Sequence, residues 1–158
     1  MCSWKDFWLS PENNIDMDER IEFYNQVNLY GQDNGMRLTV HEPGHVSYEM
    51  KILEKHLSSP DTCHGGVIAG LMDSVIGTAA LSLAFTEDNL VSTVEFKIHY
   101  FRPVRLHDVL VGTGKVDHKG KSLIISSGEI TDKATGKTVA KAIGTFNAYP
   151  LSKKDYLK

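Results

Sequence analysis

Cysteine is scarce in this sequence. Only Cys2 and Cys63 occur in 158 residues, too few for the disulfide framework of a small secreted domain. The first residues also lack the apolar run behind a basic start that is typical of a signal peptide. Unpaired cysteines are typical of proteins in a reducing compartment, so we expect a cytoplasmic location.

The sequence has no strong excess of charge of one sign. It has 17 Lys and Arg residues against 20 Asp and Glu residues, a formal net charge of −3. Proteins that bind DNA or RNA usually present a strongly basic face, so we do not expect a nucleic-acid partner. Hydrophobic residues make up 41% and charged residues 23%, which is ordinary for a globular chain and excludes disordered or collagen-like classes. A length of 158 residues favours a single domain.

Long hydrophobic runs are limited to one, from Val67 to Phe85, and its only charged residue is Asp73. A transmembrane helix would place that carboxylate in lipid at a cost of several kcal/mol. Small residues such as Gly70 and Gly77 also interrupt the run. We therefore predict a buried helix of a globular protein and no membrane partner.

The remaining pattern predicts one leading helix and six strands. An aspartate near Ile15–Asp18 can cap a helix that runs to Gly31, with apolar residues at helical spacing. After Gly35 the period changes to two residues, which is typical of strands. We expect strands near 36–40, 46–52, 91–101, 109–117, 122–131 and 138–149, with the long helix from Gly65 to about Phe85 between the second and third.

This order of elements predicts the fold class. No helix separates the last four strands, so βαβ crossovers are absent there and the sheet is mainly antiparallel. A helix that is apolar on all sides needs a curved sheet wrapped round it. We predict an α+β fold, in which five to six antiparallel strands wrap one long central helix. Residues 1–34 form an N-terminal segment with a short helix, 35–150 the single domain and 151–158 a tail.

The segment His41–His45, HEPGH, matches the H-E-x-x-H pattern of zinc proteases letter for letter. That motif binds zinc only when both histidines lie on one face of a helix. Pro43 and Gly44 occupy the inner positions, and proline inside a helix costs about 3 kcal/mol. We therefore interpret the segment as a tight turn between two strands and expect no metal site.

His64, Gly65 and Gly66 precede the long helix. Glycines leave backbone N–H groups bare at the positive end of a helix, where these groups can bind an anion or stabilise an oxyanion. Close packing of a neighbouring backbone explains the same glycines equally well. A lone histidine such as His64 is more often structural than catalytic. The residues alone leave these alternatives open.

Asp73 is the only charged residue between His64 and Phe85. A buried carboxylate is costly unless it has a partner, so it marks either a functional site or a buried hydrogen-bond anchor. Nine residues separate it from His64, which is about 13 Å along a helix. If both ends act in one site, we expect them to come from different subunits across a dimer interface.

The segment His64–Asp73, HGGVIAGLMD, closely resembles the HGG…D signature of hotdog-fold acyl-CoA thioesterases. These belong to the PaaI-like branch of the 4-hydroxybenzoyl-CoA thioesterase superfamily. The resemblance continues through 94–103 (VEFKIHYFRP), 136–140 (GKTVA) and 144–146 (GTF), and it covers roughly residues 35 to 149. It implies a hotdog fold and a homodimer or homotetramer with active sites at the subunit interface.

The resemblance also implies residue roles. Asp73 matches the acidic residue that activates water or attacks the thioester carbonyl, and Gly65 matches the glycine whose backbone N–H polarises that carbonyl. Thr93 lies where relatives often have a Ser or Thr that helps to hold the water. His64 matches the motif histidine, whose part is more positional than chemical. Ser58 stands where many relatives have Asn, which puts the polar contact with substrate there in question.

Basic side chains at strand ends and turns are candidates to meet the phosphates of coenzyme A: Arg102, Arg105, Lys119 and Lys121. Solvated turn charges explain each of them equally well. Gly66 is a further candidate for substrate binding, and residues 1–34 are candidates to cover the acyl pocket.

The resulting hypothesis is an acyl-CoA thioesterase that hydrolyses a thioester to a free acid and CoA. It needs no cofactor, because CoA is part of the substrate. One alternative is a non-catalytic hotdog module that binds acyl-CoA, which would need the pocket but no carboxylate at Asp73. Another gives Asp73 a structural role in an oligomer interface.

Overall fold

The computed structural model describes residues 17–151, which form three helices, one short 3-10 helix and six strands. The helices are α1 (Met17–Val27), α2 (Leu29–Asp33) and α3 (Gly65–Phe85), and the 3-10 helix spans Glu54–His56. The strands are β1 (Arg37–Glu42), β2 (His45–Lys51), β3 (Asn89–Tyr100), β4 (Val109–Lys119), β5 (Leu123–Asp132) and β6 (Thr138–Pro150). Cys2, the candidate helix-capping residue Asp16 and the tail after Leu151 lie outside the described residues.

The six strands form one curved antiparallel sheet in the order β1-β2-β4-β5-β6-β3. Helix α3 packs against this sheet and contacts five of its strands. The core between them includes the fully buried side chains of Tyr48, Leu71, Met72, Ile130 and Phe146. The predicted α+β hotdog fold is confirmed.

Helix α3 is apolar because most of its sides are covered by protein. It is long and apolar enough to cross a membrane by length and composition alone. Its side chains Leu71, Met72, Val75 and Ile76 are nevertheless completely buried in the core. The prediction of a buried core helix is therefore confirmed.

The HEPGH segment forms the hairpin between β1 and β2, as its proline and glycine predict. Gly44 has a φ of +89°, a left-handed conformation that glycine adopts without strain. Its N–H donates to Ser82 Oγ on α3 at 2.9 Å. His41 lies on β1 and His45 on β2, so the two rings share no helix face. The residues that the structure describes contain no cluster of three His, Cys, Asp or Glu side chains suited to a metal.

The leading helix is broken at Asn28, which differs from the single helix expected to reach Gly31. Asn28 leaves the helical conformation (φ −80°, ψ 75°), and its side chain accepts a hydrogen bond from Gly31 N at 3.0 Å. Asparagine favours such caps over helix interiors because its side chain competes for backbone N–H groups. The cap starts the short helix α2.

Helix α1 lies against the C-terminal half of α3, and Arg20 fixes the contact. Its guanidinium donates to the carbonyl of Phe85 at 2.7 Å and pairs with Asp88 at 2.5 Å. A cation at this end of α3 also complements the helix dipole. The apolar side chains predicted to share one face of α1 include Met17 and Ile21, which pack around Phe85.

Strand β3 lies at an edge of the sheet and contains a β-bulge at Val94. Thr93 pairs with Phe146 and Glu95 with Thr145, so Val94 is the extra residue. Strict alternation along β3 predicts Val94 on the same face as Phe96. This prediction is wrong, because Val94 is 58% exposed whereas Phe96 packs against the core. A bulge shifts the alternation by one residue, which turns Thr93 toward α3.

Candidate active site

The N-terminus of α3 is capped by His64. Its Nδ1 accepts a hydrogen bond from the N–H of Gly66 at 2.8 Å, with His64 in an extended conformation (φ −66°, ψ 133°). A Cβ atom on Gly66 would lie only 2.8 Å from that same Nδ1. The cap therefore explains the glycine at position 66 and gives His64 a positional role.

Gly65 is not explained in the same way. Its φ is outside the left-handed region, and a Cβ atom there would meet nothing nearer than the ring of Tyr100 at 3.9 Å. Tyr100 Oη donates to the carbonyl of Gly65 at 3.1 Å, which fixes the first turn. The N–H groups of a first helical turn have no acceptor within the helix. The exposed N–H of Gly65 is therefore available to a ligand.

Asp73 lies in the middle of α3 and is half-buried rather than deeply buried, because it borders a cavity. Thr93 Oγ1 donates to Asp73 Oδ1 at 2.9 Å, a contact that depends on the bulge at Val94. Among the described residues, no donor contacts the other carboxylate oxygen, Oδ2. The pair therefore presents one free carboxylate oxygen and one hydroxyl able to accept a hydrogen bond.

The cavity beside Asp73 has a volume of about 360 Å³ and runs along α3 as far as Leu81. Helices α1 and α2 form one wall, with Tyr24, Asn28 and Tyr30. The Tyr30 hydroxyl packs on the bare backbone of Gly70, which explains that glycine by close packing. Burial, and secondarily the charge of Asp73, raise the pKa of Tyr30, so the phenol stays protonated beside the carboxylate.

Gly65 and Asp73 lie eight residues apart on one straight element. This spacing corresponds to about 12 Å along the helix axis. One chain therefore does not bring the Gly65 N–H and the Asp73 carboxylate to the same small group.

The four basic candidates lie at two opposite ends of α3. Arg105 pairs with Asp61 at 2.5 Å, close to the start of the helix, and Arg102 donates to the carbonyl of Thr138 at 2.6 Å. Lys119 pairs with Glu87 at 2.5 Å, just beyond the end of the helix, and Lys121 follows in the β4–β5 turn. Since α3 is about 30 Å long, one chain cannot place all four on the same phosphates.

Ser58 and Cys63 lie in the loop that leads to α3. The Ser58 hydroxyl donates to the carbonyl of Thr62 at 3.3 Å, so it stabilises the loop. Cys63 is buried, and burial followed by the charge of Asp108 raises its pKa to about 11. Its thiol is therefore protonated at neutral pH and unsuited to act as a nucleophile.

Sequence reasoning missed the polar residues on the cavity wall, namely Tyr24, Asn28, Tyr30 and Thr78. Helical spacing alone places Tyr24 on the apolar face of α1 with Met17 and Ile21, and the sequence of residues 1–34 indicates no more than a cover for the acyl pocket. Thr78 carried a signal, because a hydroxyl in an otherwise apolar helix needs a partner.

A curved sheet round a long helix, with an HGG turn and a central aspartate, defines a thioester hydrolase of the hotdog class. The model of the Thioesterase superfamily matches residues 61–139, a range that contains both α3 and the Asp73–Thr93 pair. The chain belongs to this superfamily, in its PaaI-like branch.

Individual relatives agree with this assignment. Acyl-coenzyme A thioesterase 13 of Homo sapiens is 37% identical over 100 residues, which cover 63% of this chain and 69% of that protein. The structure of the PaaI protein from the phenylacetic acid degradation operon of E. coli has a TM-score of 0.74 at 21% identity, covering 84% of this chain and 93% of the other, and shares the fold. A thioesterase protein from Streptococcus pneumoniae TIGR4, solved with coenzyme A, has a TM-score of 0.66 at 26% identity, covering 73% and 89%.

Proposed function

We propose that this protein is a cytoplasmic acyl-CoA thioesterase whose active site combines Gly65 of one subunit with Asp73 of its partner. The observation that carries the proposal is the Asp73–Thr93 pair, which lines a cavity of about 360 Å³. A human relative is named as an acyl-coenzyme A thioesterase, and a bacterial one was solved with coenzyme A, which supports this substrate class.

Asp73 supplies the basic group for hydrolysis. A water molecule held by Thr93 gives a proton to the carboxylate while its oxygen bonds to the thioester carbonyl carbon. The carbon–sulfur bond then breaks, and the CoA thiolate leaves and takes up that proton. The alternative is direct attack by Asp73 on the carbonyl carbon, which breaks the carbon–sulfur bond, releases CoA thiolate and forms a mixed anhydride; water then hydrolyses the anhydride to the free acid and the Asp73 carboxylate. Both routes use the free Oδ2 of Asp73.

The backbone N–H of Gly65 stabilises the oxyanion that forms on the carbonyl oxygen. The chain itself does not require glycine at this position, since a Cβ atom would meet only Tyr100, at an ordinary contact distance of 3.9 Å. Close approach of a thioester to the start of α3 explains why position 65 is a glycine, because a side chain there would stand in the way. The positive end of the α3 dipole favours the same negative charge.

The exposed edge of β3 is the surface that joins two subunits. Strand β3 pairs only with β6 among the described residues, so its outer edge is open to a second copy of the same strand. Val94 and Tyr100, 58% and 48% exposed, lie on this strand. A symmetric pairing brings the partner's Asp73 toward the end of the neighbouring α3 that begins at Gly65. Arg102 and Arg105 lie near that end, so they are better candidates than Lys119 and Lys121 for binding the coenzyme phosphates.

A thiol-release assay with a set of CoA thioesters tests the function. We expect CoA release by the wild type and a loss of roughly 10²–10⁴ in kcat for Asp73→Asn, because the amide keeps the shape but cannot take a proton. Asp117→Asn is the matched control, since Asp117 also accepts a hydroxyl hydrogen bond, from Ser127 at 3.0 Å, but on the exposed face of the sheet. Equal rates for Asp73→Asn and the wild type would remove the catalytic role.

A further inference from the structure

A group of polar side chains lies on the wall of the cavity between Asp73 and Leu81. Thr78 Oγ1 lies 3.0 Å from the hydroxyl of Tyr48 and 3.3 Å from that of Tyr24. Asn28 Nδ2 donates to the Tyr24 hydroxyl at 3.3 Å. We call these four residues the polar end: Tyr24, Asn28 and Thr78 line the cavity, whereas Tyr48 does not line it and contacts Thr78. Thr78 and Tyr48 are each only 2% exposed, so hydrogen bonds within the protein must satisfy most of their needs.

The polar end has more donor hydrogens than the hydrogen bonds among its own residues can use. Its three hydroxyls and one amide NH₂ carry five hydrogens between them. The contacts among these groups number four at most, even when the interaction between Tyr24 and Tyr48 is included. Burial raises the pKa of Tyr48, which keeps that hydroxyl protonated. At least one hydrogen is therefore left over within the described part of the chain. The half-buried side chains of Tyr24 and Asn28 line the cavity, where a ligand oxygen can reach them.

The distance from the reacting carbon is set by helix α3. Thr78 follows Asp73 by five residues, which is about 7–8 Å along the axis. Both residues line the same cavity, together with Tyr24 and Asn28. An acyl group whose carbonyl lies at Asp73 therefore reaches the polar end with four or five carbon atoms.

The chemistry of the polar end discriminates between acyl groups. A methyl terminus pressed against it excludes water and leaves the spare donor without a partner. An oxygen acceptor at the same place completes the hydrogen bonds. Sites built to bind a polar group reject the apolar analogue much more strongly than apolar sites reject polar ones.

We propose that this site selects short acyl groups that carry a hydrogen-bond-accepting oxygen about four or five carbons from the thioester carbonyl. Thr78, Tyr24 and Asn28 determine this specificity. The proposal rests on the proposed thioesterase function. It distinguishes the site from a plain hydrophobic tunnel for fatty acyl chains.

Matched substrates test the specificity. Hexanoyl-CoA and 5-oxohexanoyl-CoA differ by one ketone oxygen at the predicted distance, and dodecanoyl-CoA tests for a tunnel. We expect kcat/KM for the oxo substrate to exceed that for hexanoyl-CoA by about tenfold or more, with dodecanoyl-CoA the poorest of the three. Equal values for the first two, or preference for dodecanoyl-CoA, would overturn the proposal.

Variants connect the preference to the polar end. Thr78→Val and Tyr24→Phe each remove one hydroxyl and should lower the oxo-to-hexanoyl ratio about tenfold, whereas Thr78→Ser keeps the hydroxyl and the ratio. An unchanged ratio in both deletion variants contradicts the assignment. The non-hydrolysable thioethers S-(5-oxohexyl)-CoA and S-hexyl-CoA give the same comparison as Kd values. If no thioester is hydrolysed, the function fails, and the Kd ratio still decides the specificity.

Discussion

Replacing Gly65 with proline removes the proposed oxyanion donor and leaves the helix start intact. Gly65 is the first residue of α3, where proline is favoured because its missing N–H has no acceptor in the helix. The residue before a proline must be extended, and His64 already has a ψ of 133°. A Cβ atom at position 65 meets nothing within 3.8 Å, the nearest atom being in Tyr100 at 3.9 Å.

We expect Gly65→Pro to leave stability nearly unchanged and to lower activity strongly. The free energy of unfolding should change by less than about 1 kcal/mol, which is about 2–4 °C in Tm for a chain of this size. The value of kcat should fall by about 10²–10³, the usual effect of losing one oxyanion donor. Gly66→Ala provides the contrast, because its methyl group displaces the His64 cap and should cost about 1 kcal/mol of stability.

Circular dichroism and thermal melts measure the folding and stability of the variant, and thiol release at saturating substrate measures kcat. A folded Gly65→Pro protein with kcat within threefold of the wild type would refute the role of the Gly65 N–H. If Gly65→Pro fails to fold, position 65 cannot accommodate the proline ring.

Three further changes test other parts of the structure. Thr93→Val removes the hydrogen bond to Asp73 and should lower kcat by roughly 10- to 100-fold, whereas full activity would place the water elsewhere. His56 is buried and accepts a hydrogen bond from the Leu53 N–H at 3.1 Å; burial, followed by the charge of Lys55, lowers its pKa. Neutral His56 therefore contributes its full stability above about pH 6.5, and this contribution is lost as the pH falls through the lowered pKa. The urea midpoint of the wild type should decrease between pH 6.5 and pH 5, and the decrease should be smaller in His56→Gln. A chelator should leave activity and Tm unchanged, whereas stoichiometric zinc lost together with activity would contradict the hairpin assignment.

The elements of the fold were predictable because burial imposes a period on the sequence. Strands β1 and β2 and much of β3 alternate apolar and polar residues, and α3 is a long apolar run without such alternation. Gly44 and Pro43 excluded a helix at HEPGH through backbone geometry alone. Local physical chemistry therefore determined the type and order of the elements.

The details that shape the site depend on contacts between distant residues. The alternation in β3 placed Val94 inward, and only the pairing with β6 shows the bulge that turns Thr93 toward Asp73. Asp73 is half-buried rather than deeply buried because a cavity remains between it and the residues of α1 and α2, and the apolar pattern of α3 carries no sign of that cavity. The break at Asn28 likewise gives α2 its direction and places Tyr30 over Gly70.

The proposal that two subunits build one active site is tested most directly by mixing two inactive variants. Gly65→Pro and Asp73→Asn chains, each carrying a different tag, are co-expressed, and complexes that hold both tags are purified. Each mixed dimer then contains one intact site, made of the Gly65 N–H of one chain and the carboxylate of the other. An unselected one-to-one mixture should therefore recover about a quarter of wild-type CoA release, and purified mixed dimers about half. Purified mixed dimers as inactive as either parent would contradict the shared site.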